Sequence, residues 1–175
     1  IDQVQTVLQH HTLPYFYEVN ISCPNTENGQ TICEDPATLN SLLSAIKKTV
    51  SNPISVKVSP DVSNETLGAI GEICTTYDTL LINAGNTQYK TPNEVGVKQI
   101  NFAMDGGGLS GPAIFQRTLE MVSLFAQFNI PIMATGGIST FNHVQALKAA
   151  GASLFGMATA LVLDPYCIPR IHSRL

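Results

Sequence analysis

Short apolar runs alternate with helix-patterned stretches along most of this chain, and no other feature constrains its fold as tightly. Runs at about 15–21, 54–58, 79–83, 130–134 and 153–157 read as strands. Asp35-Pro36 opens a helix, since Asp supplies an N-cap oxygen and Pro tolerates the first helical position. Behind it Leu39, Leu42, Leu43, Ile46 and Val50 repeat on one helical face. A second helix starts near Ser63-Asn64 and carries Leu67, Ile70, Ile73 and Cys74. A third covers about 113–128 with Leu119, Val122 and Phe125 on one side, and a fourth runs from Thr140 through Val144 and Leu147 to just before Gly151. Strict strand–helix alternation predicts a parallel sheet. The strands lack two-residue alternation, which suits burial on both faces.

At 175 residues the chain reads as one domain. A domain of this size hides about 70% of its unfolded surface. The net charge of −4, with nine Lys and Arg, leaves no basic block to grip a phosphate backbone, which argues against nucleic-acid binding. No apolar run approaches the roughly 18 residues of a membrane span. The four cysteines form no Cys-x-x-Cys pair and no Cys/His cluster at zinc spacing, and the histidines do not cluster. No metal is expected, and the setting reads as reduced and intracellular.

The chemistry-bearing residues sit where strands end. Asn20-Ile21-Ser22-Cys23-Pro24-Asn25 follows the first apolar run. Cys23 is either a small core cysteine or a reactive thiol acting as a base. Asn20 and Asn25 bracket it with carboxamides, which suit the edge of a planar imide ring but also end strands and cap turns. Lys57 interrupts an apolar strand, so it faces a ligand or extends its head to the sheet's rim. Asn83-Ala84-Gly85-Asn86-Thr87 follows the third strand, with Asn83 read as structural, and a stretch without clear period runs on to about residue 101. Three small-residue clusters come next: Gly106-Gly107-Gly108-Leu109-Ser110-Gly111 before a helix, Thr135-Gly136-Gly137-Ile138 and Met157-Ala158-Thr159-Ala160 after strands. Backbone N–H groups converging near helix starts bind phosphate, and clusters at two successive late strand ends match the phosphate site of (β/α) barrels.

Taken together, Asn20 to Asn25, Lys57-Val58-Ser59-Pro60-Asp61, Asn86-Thr87 and the late clusters resemble the dihydroorotate dehydrogenase family, in the family's order from residue 15 to about 161. The resemblance implies an α/β fold, a (β/α)8 TIM barrel of which this chain holds about the last five β/α units. Residues 1–175 would be the C-terminal portion of a single FMN-binding barrel domain, the first three strands lying on a missing N-terminal segment. It further implies FMN as cofactor and dihydroorotate oxidation to orotate in pyrimidine synthesis. Cys23 would be the catalytic base. Asn20, Asn25, Asn86 and Thr87 would hold the substrate ring. Lys57 would contact the flavin, and Ser110, Gly111, Gly136, Gly137, Ala158 and Thr159 would surround the phosphate. Ala158 stands where the family usually has glycine.

A cysteine at position 23 resembles the soluble class, whereas the quinone-linked class has serine there. The segments Asn25-Thr26 and Lys57 to Asp61 lean toward the latter, so the electron acceptor (fumarate, NAD through a partner subunit, or quinone) stays open. A cytoplasmic homo-oligomer acting on a small molecule is the expectation. Two alternatives remain: a flavin domain like that of dihydropyrimidine dehydrogenase, disfavoured because Asn25 stands where that family has His, and a non-catalytic flavin-binding barrel.

Overall fold

The computed structural model describes residues 2–8, 10, 13–22, 32–98 and 103–175. A first helix, α1 (Asp2–Leu8), precedes the alternating unit. That unit is β1 (Tyr17–Asn20), α2 (Pro36–Thr49), β2 (Ile54–Val58), α3 (Asn64–Thr75) and β3 (Leu80–Ala84), in that order. A hairpin of β4 (Gln88–Lys90) and β5 (Gly107–Leu109) interrupts it. The alternation resumes with α4 (Phe115–Phe125), β6 (Ile132–Thr135), α5 (Phe141–Ala149) and β7 (Leu154–Gly156), and the short helices α6 (Thr159–Leu163) and α7 (Cys167–His172) follow.

Five parallel strands form the main sheet in the order β1-β2-β3-β6-β7. Each strand is added beside the last in one direction. Right-handed crossovers repeated that way put the connecting helices on one side, as in an arc of a barrel wall. Register and alternation assign the faces. Val19, Ile54, Val56, Ile82, Ile132 and Ala134 point to the helices and join one apolar core with Leu39, Leu43, Leu67, Ile70, Met121, Phe125 and Leu147. Glu18, Asn20, Ser55, Lys57, Asn83, Met133 and Thr135 occupy the opposite face. It is this second face that leads to the strand ends.

The helix starts anticipated from sequence are formed as expected. Asp35 Oδ1 accepts from the N–H groups of Ala37 and Thr38, both at 3.1 Å. Ser63 and Thr140 cap α3 and α5 through the N–H groups of Thr66 and His143. Arg117 on α4 fastens the loop between β2 and α3: its Nε donates to the Pro60 carbonyl at 3.0 Å, its Nη2 to that of Val62 at 2.8 Å, and its Nη1 to Asn64 Oδ1 at 2.7 Å.

Two expectations need correction. Part of the stretch without period is ordered as the β4–β5 hairpin, whose second strand takes up Gly107 and Gly108 just before Ser110 and Gly111. The Asp61 carboxylate ties this hairpin to the β2–α3 loop by accepting the Tyr89 N–H at 3.0 and 3.1 Å. His143, expected on a polar helix face, is half-buried and stacks on Phe115 with centroids 3.9 Å apart.

Candidate functional site

Every main strand but β1 delivers residues to one cavity of about 190 Å³ at the C-terminal end of the sheet. Lys57 comes from β2, Asn86 and Thr87 from the turn after β3, Ser110 and Gly111 from the segment after β5. Gly136 and Gly137 follow β6, and Ala158 and Thr159 follow β7. Nine of the residues singled out from sequence therefore share one lining. Lys57 is the single charged residue among the described residues of that lining, and no carboxylate faces the space. Hydroxyls add donors: Thr159 Oγ1 donates to Ser110 Oγ at 3.0 Å, which ties the β5 and β7 sides together. A cation, hydroxyls and backbone N–H groups without acidic neighbours make a place for an anion.

Two glycines set this geometry by close approach. At Gly85, φ is +142°, and a Cβ would lie 1.6 Å from the Thr135 carbonyl oxygen. Only glycine lets the chain leave β3 in contact with the end of β6 and turn Asn86 and Thr87 into the cavity. At Gly137, φ is +73°, and a Cβ would lie 2.5 Å from the Phe115 nitrogen. That contact holds the start of α4 against the β6 turn, so the two glycine-bearing segments close on the same space.

A second cavity, about 320 Å³, shares Asn86 and Thr87 with the first and adds Ser22, Ser59, Asp61 and Tyr89. Across it runs a short relay. Asn86 Nδ2 donates to Ser22 Oγ at 2.6 Å, and Ser22 Oγ donates to Asn20 Oδ1 at 2.5 Å. Asn86 Oδ1 accepts from the Thr87 N–H at 2.9 Å, which fixes the amide's orientation. The relay brings Asn86 to Ser22, 64 positions away in the sequence, and through it to Asn20. Cys23 and Asn25 lie outside the described residues, immediately beyond Ser22.

Sequence reasoning passed over Ser22, although it lies inside the Asn20–Asn25 run. It also left Glu18 unremarked and Asn83 as merely structural. Asn83 is buried, and its Nδ2 donates to Glu18 Oε2 at 2.8 Å. The available signal was period two: counting back from Asn20 reaches Glu18 on the same sheet face. The remaining cysteines behave as core residues. Burial raises the Cys33 thiol above its ordinary range and pushes Cys74 up to about 12. Among the described residues no group of three or more His, Cys, Asp or Glu could hold a metal ion, and no helix is long and apolar enough to cross a membrane.

Comparison with known proteins decides the family. A family model described as dihydroorotate dehydrogenase matches residues 2–175. The chain belongs to the dihydroorotate dehydrogenase family. Among its relatives is the catalytic subunit of dihydroorotate dehydrogenase B (NAD(+)) from Enterococcus faecalis, 33% identical over 156 residues, covering 88% of this chain and 49% of that protein. The corresponding subunit from Bacillus cereus is 36% identical over 168 residues, with 90% and 51% covered. A Solibacter usitatus protein provisionally named dihydroorotate dehydrogenase A (fumarate) is 34% identical over 176 residues, with 99% and 57% covered. The chain thus spans about half the length of the curated relatives it matches. Among solved structures, the DHODH of Eimeria tenella in complex with ferulenol superimposes with a TM-score of 0.81 at 19% identity, covering 98% of this chain and 52% of that one. The likeness establishes the fold of the dihydroorotate dehydrogenase family, a TIM barrel, of which this sheet is an arc.

Proposed function

We propose that this chain serves the FMN-dependent oxidation of dihydroorotate to orotate, a step of pyrimidine synthesis, with the first cavity as the flavin site and the second as the substrate site. The observation that carries this reading is the shared lining: Lys57, Asn86, Thr87, Ser110, Gly111, Gly136, Gly137, Ala158 and Thr159 all meet at one cavity. Its donors fit a phosphate monoester: hydroxyls such as those of Ser110 and Thr159, backbone N–H groups beside positive-φ glycines, one cation and no carboxylate. When bound, FMN supplies the hydride acceptor that no side chain can provide.

The chain's own residues do the rest. Asn86 presents its carboxamide at the wall common to both cavities, and Ser22, which lines the second, links it to the carboxamide of Asn20. Such edges match the alternating N–H and C=O groups of a dihydropyrimidine ring and fix its orientation. Asn25 and Thr87 complete that grip. Cys23, just past Ser22, accepts the proton from C5 of dihydroorotate as the hydride leaves C6, so the two hydrogens depart to different acceptors and a C5–C6 double bond forms. The thiolate is the form that does this, so the rate depends on Cys23 ionisation. Lys57 places positive charge where negative charge develops.

The test is to load the protein with FMN and add dihydroorotate without oxygen. The yellow absorbance should bleach, and Cys23→Ser should retain the colour yet bleach at least ~100-fold more slowly at neutral pH, the usual worth of a general base. A serine variant that bleaches as fast as the parent removes Cys23 from the role.

A further inference from the structure

Beneath the cavity, β3 carries a buried amide whose bonding is only half complete. Asn83 is 4% exposed. Its Nδ2 donates to Glu18 Oε2 at 2.8 Å, and the same oxygen accepts from Ser55 Oγ at 3.3 Å. A carboxylate can only accept. Glu18 therefore dictates which way the amide faces: nitrogen toward Glu18, oxygen away. That oxygen, Asn83 Oδ1, is buried and has no hydrogen-bond partner among the described residues. Buried acceptors are rarely left so, because the lost hydration is not replaced.

The register shows which donor is at hand. Directly across from Asn83 stand Lys57 on β2 and Met133 on β6. Methionine has no hydrogen to give. Lysine is a donor only, and Lys57 makes no hydrogen bond or ion pair with any described residue, while its head lines the cavity. A donor without an acceptor and an acceptor without a donor thus stand side by side on adjacent strands, at the same register position.

We infer that Asn83 is a positioning residue for Lys57: its Oδ1 receives the lysine ammonium and fixes that charge at the cavity floor, with Glu18 locking the amide's orientation. The inference rests on the reading above, in which Lys57 faces the flavin. A lysine stem has four rotatable carbons and many rotamers. An anchored ammonium spends its time where the cofactor needs it, so the anchor acts on flavin affinity and potential without touching the flavin.

A double-mutant cycle on the FMN-loaded protein tests this. FMN affinity is read from quenching of its fluorescence and the midpoint potential of the bound flavin by reductive titration. If Asn83 acts through Lys57, Asn83→Leu and Lys57→Met each weaken FMN binding by about tenfold, and the double variant is no weaker than the worse single one. Both single variants also move the potential in the same, more negative direction. Glu18→Gln is the second arm, should Asn83→Leu not fold. A carboxamide can donate as well as accept, so Asn83 is free to turn, and affinity falls about two- to fivefold with the same non-additivity toward Lys57→Met. Additive losses, about a hundredfold in the double variant, overturn the inference, as does a Glu18→Gln protein equal to the parent. If the parent protein binds no FMN, the flavin reading falls and this inference with it; bound FMN with additive variants overturns the inference alone.

Discussion

Replacing Gly85 by alanine should damage the site more than any change in the hydrophobic core of similar size. The new Cβ would lie 1.6 Å from the Thr135 carbonyl oxygen, whereas real Cβ contacts essentially never fall below 3.0 Å. The ends of β3 and β6 must therefore separate by about 1.4 Å, and both partners are backbone, so no side chain can give way. Alanine at φ +142° adds about 1–3 kcal/mol of backbone strain. Loosening the Ala84–Ala134 end of the ladder forfeits about another 1 kcal/mol per hydrogen bond lost. A total near 3 kcal/mol lowers the melting temperature by roughly 6–12 °C for a chain of this size. Because Asn86 and Thr87 follow at once, FMN and dihydroorotate should both bind more weakly. The assay is thermal unfolding beside FMN and substrate titrations, with Gly68→Ala as the comparison. Gly68 lies within α3 with open space where its Cβ would be, so alanine there should stabilise by about 0.5–1 kcal/mol and leave binding alone. If Gly85→Ala melts and binds like the parent, the claim that this close approach builds the site is wrong.

Other outcomes follow from the same geometry. Asp61→Ala removes the acceptor for the Tyr89 N–H and frees the hairpin whose base carries Thr87 and Ser110, so the Kd for dihydroorotate should rise while thermal stability falls by about 1 kcal/mol; Asp61→Asn, which keeps one acceptor oxygen, should recover most of the loss. The buried thiol of Cys74 gives an alkaline signature. Its folded value, about 12, exceeds the usual cysteine value, so the stabilisation is complete below the unfolded value near ~8.5 and is lost as pH climbs toward the folded one. Urea unfolding across that window should show falling stability in the parent and a flatter profile in Cys74→Ala. Native-state alkylation at neutral pH should spare Cys74 and label it only after unfolding.

Much of this arrangement was legible in the sequence because local rules and tertiary demands agree there. Asp35-Pro36, Ser63 and Thr140 start helices by capping chemistry that needs no distant partner, and the structure keeps all three. Lys57 stood out because a lysine in an apolar strand has little reason to be there except a ligand or a rim. The β4–β5 hairpin was not legible, since three-residue strands built of Gln-Tyr-Lys and Gly-Gly-Leu carry no period, and their pairing is held by Asp61 from another loop. Glu18 and Asn83 were missed for a related reason. Their meaning lies in facing one another across β2, sixty-five positions apart in the chain, and a linear pattern shows each only as an isolated polar residue at a strand position. Ser22 had no role of its own within the Asn20–Asn25 run, because the partner that gives it one, Asn86, comes from the end of β3.

A crystal structure of the protein with FMN and orotate bound tests the central claim most directly. The account predicts the phosphate against the backbone N–H groups of Gly111 and Gly137 and the Ser110 and Thr159 hydroxyls, with orotate between the Asn20 and Asn86 amides. A phosphate seated elsewhere, for instance in the hollow lined by Arg170, Arg174 and Thr140, would contradict it.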